Sequence, residues 1–133
     1  MTPRANKLQQ LIAQFQKVAN RLDEILRVEV NDIVRDSAVK RFELAFDLSW
    51  KTVKAYLEDE GITCYSPKNC FREAFRQGLL QHDDFWIHMV DMRNETTHTY
   101  NELVAEKIFK ELPEALKHFQ HLLENLRIKG SQS

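Results

Sequence analysis

The chain has 133 residues, of which 43% are hydrophobic and 29% are charged, with only 3 glycines and 3 prolines. This composition is too apolar for a disordered protein, and it predicts one domain over residues 1–133, with a core from about 5 to 127 and a frayed tail at 128–133. The formal net charge of −1 excludes a strong overall attraction to nucleic acid or anionic membranes. A polyanionic partner must therefore contact a local cluster of Lys and Arg.

The sequence also predicts where the protein is found. No apolar stretch follows a basic head at the N-terminus, so no signal peptide is expected. No run approaches the ~18 apolar residues of a membrane span. Cys64 and Cys70 have too few neighbouring ligands for a zinc site, and they are predicted to be free thiols in a cytoplasmic protein.

Two long amphipathic helices are predicted in the first half of the chain. Apolar residues recur at helical spacing over about residues 6–28. The second helix is expected over about residues 37–60, with Asp36 or Ser37 as its N-cap and Gly61 just after its end. Its apolar arc is wider than one small bundle can cover, which predicts a homodimer.

The third and fourth helices are shorter. Ser66 as N-cap and Pro67 in the first turn are typical of a helix start, and Gly78 is expected to end the third helix. Its buried side is expected to comprise Phe71, Ala74, Phe75 and Leu79. The fourth helix is predicted to begin at Asp83 or Asp84.

The last helix is predicted over about residues 103–127. Pro113 should kink or split it near Lys110, because proline removes a backbone hydrogen bond. No strand pattern is present. Short turns between amphipathic helices predict an all-α fold, an antiparallel up-and-down bundle of four or five helices.

The candidate chemistry lies in the segment 93–100. Arg93 brings a permanent charge and a planar donor fork suited to phosphate, and His98 can exchange protons near neutral pH. Without a metal or another cofactor, such a pair can cleave RNA through its own 2′-hydroxyl. The structural alternative is that Arg93 pairs with Asp91 or Glu95 and that His98 merely ends a helix.

The spacing of the pair restricts how it can act. On a regular helix, side chains five residues apart point about 140° away from each other, whereas Asn94 and His98 share a face. Arg93 and His98 therefore converge only if the helix ends near Thr97 or if a second subunit contributes its own copy. This favours a composite site at a two-fold interface.

The run Arg93-x4-His98-x-Tyr100 is similar to the RX4HXY signature of HEPN proteins of the HepT kind, also called nucleotidyltransferase substrate-binding proteins. Segments 41–51, 66–68 and 72–79 resemble the same group in the same order. The resemblance extends over roughly residues 5–127.

The resemblance implies a dimerising helical bundle encoded beside a small nucleotidyltransferase. It implies a metal-independent ribonuclease toxin with Arg93 and His98 as the catalytic pair and Asn94 as a supporting polar residue. The nucleotidyltransferase is then the antitoxin and attaches adenylate to Tyr100. The protein is expected to act on RNA as a homodimer or higher even oligomer, away from membranes.

Two other functions remain open. One is a non-catalytic subunit that presents a nucleotide or substrate to a separate nucleotidyltransferase, and the other is a plain helical scaffold. His118 and His121 lack a third ligand for a metal, so a solvated or core-edge role is expected. Five cations form a possible anion-facing patch beside the site: Lys51, Lys54, Lys68, Arg72 and Arg76.

Overall fold

The computed structural model describes residues 3–131 and consists of α-helices joined by short turns. The helices are α1 (Pro3–Leu26), α2 (Asp32–Asp59), α3 (Pro67–Arg76), α4 (Asp84–Glu95) and α5 (Glu102–Ser131), with a 3-10 turn (Thr96–His98) between α4 and α5. No strand occurs within residues 3–131, and the predicted all-α class is confirmed. None of the helices in this range is long and apolar enough to cross a membrane.

The second helix starts one turn earlier than predicted. Asn31, not Asp36 or Ser37, is the N-cap, and its side-chain oxygen accepts a hydrogen bond from the Val34 amide at 2.8 Å. The extra turn is stabilised because Val34 and Arg35 are both buried.

The predicted start of α3 and the glycines predicted after α2 and α3 are confirmed. Ser66 caps α3 by accepting from the Asn69 amide at 3.2 Å, and Pro67 is its first residue. Gly61 and Gly78 follow α2 and α3 with φ of 79° and 78°, a conformation that glycine adopts without strain.

Aromatic side chains connect the helices through the core. Phe15 of α1 meets Phe119 of α5 edge to face at 5.7 Å, and Phe119 lies 6.1 Å from Phe42 of α2. Trp86 of α4 stacks on Phe71 of α3 at 4.7 Å. Burial of each such ring stabilises the fold by roughly 1.5–3 kcal/mol, so the bundle is a firm support for the segment that joins α4 to α5.

The structure differs from the predicted α5 at Pro113 and at the C-terminal end, while the kink expected at Pro113 stays a prediction. Pro113 does not split the helix, which runs without interruption from Glu102 to Ser131. Leu112 and Ala115 on either side of Pro113 are fully buried, and their packing maintains the helix where one backbone hydrogen bond is lost. The predicted tail is also helical from 128 to 131, and residues 132–133 lie outside the described part of the chain.

The prediction of free thiols is wrong as well, because Cys64 and Cys70 form a disulfide. Cys64 is buried in the turn between α2 and α3, and Cys70 is buried in the first part of α3. The turn folds back on itself where the Asn69 side chain accepts a hydrogen bond from the Tyr65 amide at 3.1 Å, and this brings the cysteines together. Phe75, predicted to be buried on α3, is 43% exposed.

Candidate functional site

The signature segment forms the junction between α4 and α5. The α-helix stops at Glu95, and a 3-10 turn follows. Threonine hydroxyls satisfy the last carbonyls: Thr96 donates to the Arg93 carbonyl at 2.7 Å and Thr97 donates to the Asn94 carbonyl at 3.1 Å. The Asn101 side chain then accepts from the first amides of α5. The chain therefore turns between α4 and α5 with Thr97, His98 and Tyr100 exposed to solvent, whereas Thr96 is buried.

Arg93 is oriented by α2. Its Nε donates to Asp47 Oδ1 at 2.9 Å, its Nη2 donates to Oδ2 at 3.2 Å, and its Nη1 donates to Thr96 Oγ1 at 3.0 Å. Glu43 Oε1 lies 3.4 Å from Nη2. The hydrogen bonds to Asp47 raise the pKa of Arg93, although partial burial opposes this. The guanidinium is thus held in one orientation between two carboxylates.

The structural alternative named the wrong partners for Arg93. Neither Asp91 nor Glu95 pairs with Arg93, and Asp91 lies 3.1 Å from the Lys68 ammonium instead. The true partner, Asp47, is 46 residues away along the chain.

His98 and Tyr100 lie together. The imidazole Nδ1 is 3.2 Å from the Tyr100 hydroxyl, and the two rings meet edge to face with centroids 5.9 Å apart. Both side chains are exposed, Tyr100 to 84%. They line an open groove of about 490 Å³ whose other lining residues are Glu95, Asn101, Leu103, Val104 and Lys107.

Arg93 and His98 do not meet within one chain. Among the described side chains, no hydrogen bond or ion pair joins them, and Arg93 does not line the groove. Asn94 is exposed, and its backbone carbonyl accepts the hydrogen bond from Thr97. The structure therefore brings together His98 with Tyr100 and, separately, Arg93 with Asp47.

Sequence reasoning missed Arg35, a buried cation that positions the junction. Its Nη1 donates to Glu102 and Glu106 of α5, each at 3.0 Å, and its side chain is only 5% exposed. Hydrogen bonds to these carboxylates raise the pKa of Arg35, and Arg35 in turn lowers the pKa of Glu102. The start of α5 is thereby fixed to the start of α2. The available signal was an arginine within the apolar pattern of α2, directly after Val34.

Two of the other histidines have structural contacts. His118 stacks on Phe85 at 4.5 Å and lies 3.2 Å from Glu114, and burial lowers its pKa. His88 lies 2.8 Å from Glu111. No group of three potential metal ligands was found among the described residues.

The cations of the predicted patch have different contacts in the structure. Lys68 pairs with Asp91, and Arg76 pairs with Glu73 on its own helix. Lys54 lies over the Trp50 ring, 5.7 Å from its centroid, and lines with Lys51 a separate groove against α1.

The chain is similar to known proteins. Residues 4–128 match the family model described as nucleotidyltransferase substrate binding protein like. The chain is 34% identical over 103 residues to "Probable ribonuclease HepT" of Haemophilus influenzae, covering 74% of this chain and 70% of that protein.

Two solved structures are similar to this chain. A protein from Thermus thermophilus superposes with a TM-score of 0.80 at 38% identity, over 85% of this chain and 98% of that one. HI0074 of Haemophilus influenzae superposes with a TM-score of 0.70 at 28% identity, over 92% and 98% of the two chains. The HI0074 structure was described as the fold of a substrate binding domain of a nucleotidyltransferase.

Proposed function

We infer the function of this chain from its family: the chain belongs to the nucleotidyltransferase substrate-binding protein-like family, in agreement with its resemblance to HepT-like HEPN proteins. We propose that the chain acts as a metal-independent endoribonuclease, the toxin of a two-gene toxin–antitoxin module. The observation that carries the proposal is the exposed groove in which His98 and Tyr100 lie 3.2 Å apart, in a chain 34% identical to a probable ribonuclease.

The proposed reaction is transesterification within the RNA strand. His98 takes the proton from a ribose 2′-hydroxyl, and that oxygen attacks the adjacent phosphorus. The bond to the 5′-oxygen breaks, and the leaving oxygen takes up the proton that His98 received. The products are a 2′,3′-cyclic phosphate and a 5′-hydroxyl. No oxidant, reductant or metal is needed to balance this step.

Arg93 is the proposed stabiliser of charge on the phosphorane. A guanidinium has five N–H donors, and Asp47 and Thr96 accept hydrogen bonds from three of them. Glu43 lies 3.4 Å from Nη2, so the second N–H of Nη1 is the donor left for phosphate. Asn94, one residue on and exposed, is the proposed supporting polar contact.

A second subunit would explain how Arg93 and His98 act together. In one chain the two residues do not meet, so we propose a homodimer, or a higher even oligomer, in which each site is completed across the two-fold axis. Exposed apolar side chains at the start of α2, Ile33 at 81% and Val30 at 60%, support such an interface. Light scattering at micromolar concentration should give twice the 15.8 kDa mass of the chain, or a higher even multiple, and a monomeric mass would contradict the composite site.

The alternative function is a non-catalytic subunit that presents a substrate to a nucleotidyltransferase. It is favoured by the description of HI0074 as a substrate-binding domain. The purified chain should cleave RNA in EDTA if it is the proposed nuclease. His98→Ala should abolish cleavage, whereas His121→Ala, which removes another exposed histidine, should not. RNA left intact by the wild-type protein would favour the alternative.

Tyr100 is the proposed site of control. Its 84% exposure lets a nucleotidyltransferase encoded alongside reach the hydroxyl without unfolding the bundle. The enzyme would transfer adenylate from ATP to the phenol oxygen and release pyrophosphate. The new phosphate would lie beside His98 and obstruct the RNA site.

Tyr100→Phe provides the test of this control. With the nucleotidyltransferase, ATP and magnesium, the wild-type chain should gain the mass of adenylate and lose RNA cleavage. Tyr100→Phe should gain no adenylate and stay active, because the phenol moves no proton in the proposed reaction. Adenylate on the Phe variant would show that another residue is the target.

We also propose that residues 1–133 act as one domain in the cytoplasm, where an RNA substrate would be met. Cytoplasmic thiols are usually kept reduced, so the Cys64–Cys70 disulfide would be open there for part of the population.

A further inference from the structure

Lys107 is the one lysine or arginine among the residues that line the His98–Tyr100 groove. It lies on α5, four residues after Leu103 and three after Val104, which line the same groove. Residues three and four apart share a helix face, so this part of α5 presents one cation and two apolar side chains beside His98.

Several carboxylates around the groove and along α5 pair with cations other than Lys107. Arg93 is held by Asp47 and Glu43. Arg35 lies 3.0 Å from the Glu106 carboxylate of α5. The next carboxylate along α5, Glu111, is paired with His88.

Lys107 itself forms no ion pair in the described part of the chain, and it is exposed. Glu95 also lines the groove, but it lies beyond ion-pairing distance of Lys107. An unpaired ammonium in an open groove is available to attract an anion, although the Glu95 carboxylate opposes that attraction.

We propose that Lys107 binds a phosphodiester of the RNA strand and positions that strand against His98. The proposal rests on the proposed ribonuclease function and adds a substrate-binding residue outside the Arg93–Tyr100 segment. The exposed Leu103, at 81%, gives a base or ribose an apolar surface one helical turn from the bound phosphate. Arg93 then stabilises the transition state, and Lys107 supplies binding in the ground state.

Because Lys107 and Glu95 have opposite charges, substituting them should change the affinity for RNA in opposite directions. Lys107→Ala should weaken RNA binding, and Glu95→Gln should strengthen it, because one change removes attraction for phosphate and the other removes repulsion. Lys107→Arg should retain most of the affinity. Lys110→Ala is the matched control, since Lys110 is exposed on the same helix and does not line the groove.

The measurement is fluorescence anisotropy with a single-stranded 2′-deoxy-substituted oligonucleotide, which the proposed reaction cannot cleave, at several salt concentrations. For Lys107→Ala we expect about a five- to tenfold loss of affinity and a salt slope smaller by about 0.7, the value for one phosphate contact on a single strand. Cleavage assays with RNA should show a raised KM and a nearly unchanged kcat.

The outcomes separate this proposal from the proposed function. Equal affinities and slopes for Lys107→Ala and Lys110→Ala, or no binding by the wild-type protein, would overturn the role of Lys107 even if RNA is cleaved. A selective loss in Lys107→Ala, in a protein that never cleaves RNA, would support the phosphodiester contact and refute the nuclease.

Discussion

The contact of Arg93 with Asp47 is a bidentate ion pair at a partly solvated position. The side chains are 26% and 36% exposed, so water screens the pair, but its two parallel hydrogen bonds fix the guanidinium plane. The sequence singled out Arg93 by its charge and motif. It could not indicate Asp47, because contacts between distant segments depend on how α2 packs against α4.

This pair leads to a prediction about stability. Arg93→Ala leaves the Asp47 carboxylate without its main partner, and we expect the free energy of unfolding to fall by about 1–2 kcal/mol, while the helical content at low denaturant is kept. Urea denaturation followed by circular dichroism measures the change. Arg72→Ala, the removal of an exposed arginine on α3, is the control and should cost less than about 0.5 kcal/mol. Equal losses in the two variants would show that the ion pair contributes nothing.

At the scale of elements, local signals predicted some helix ends and missed others. Ser66, Pro67 and Gly78 act through neighbouring backbone groups, so their positions in the sequence were enough to predict α3. The start of α2 depends instead on burial of Arg35 against α5, and the continuity of α5 at Pro113 depends on its packed face. Those are tertiary effects that no local pattern contains.

The disulfide between α2 and α3 allows a second prediction about stability. Closing a loop this short restricts the unfolded chain, and chain-entropy reasoning gives about 2 kcal/mol. A thiol reductant should therefore lower the thermal midpoint by several degrees. The double variant Cys64→Ser with Cys70→Ser should have the lower midpoint already and show no response to reductant. An unchanged midpoint in reduced wild-type protein would contradict a stabilising role for the bond.

At the scale of the whole molecule, apolar periodicity was sufficient to predict the all-α bundle, because each helix must bury one face. The motif predicted His98 and Tyr100 as site residues, and the structure places these two side chains in one groove. The spacing of the motif already indicated that Arg93 and His98 diverge on a regular helix. The structure adds that they stay apart although the α-helix ends at Glu95, because Asp47 of α2 holds the Arg93 guanidinium.

The chemical groups on the cleaved RNA ends distinguish the proposed transesterification from hydrolysis that leaves a 5′-phosphate. Purified wild-type protein and His98→Ala should be incubated with a labelled RNA in EDTA, beside the same RNA carrying a 2′-deoxyribose at the mapped cleavage position. We predict 2′,3′-cyclic phosphate and 5′-hydroxyl ends with the wild-type protein, and no cut at the deoxy position or with His98→Ala. Ends bearing a 5′-phosphate, or full cleavage by His98→Ala, would contradict proton transfer by His98 to and from the RNA's own hydroxyls.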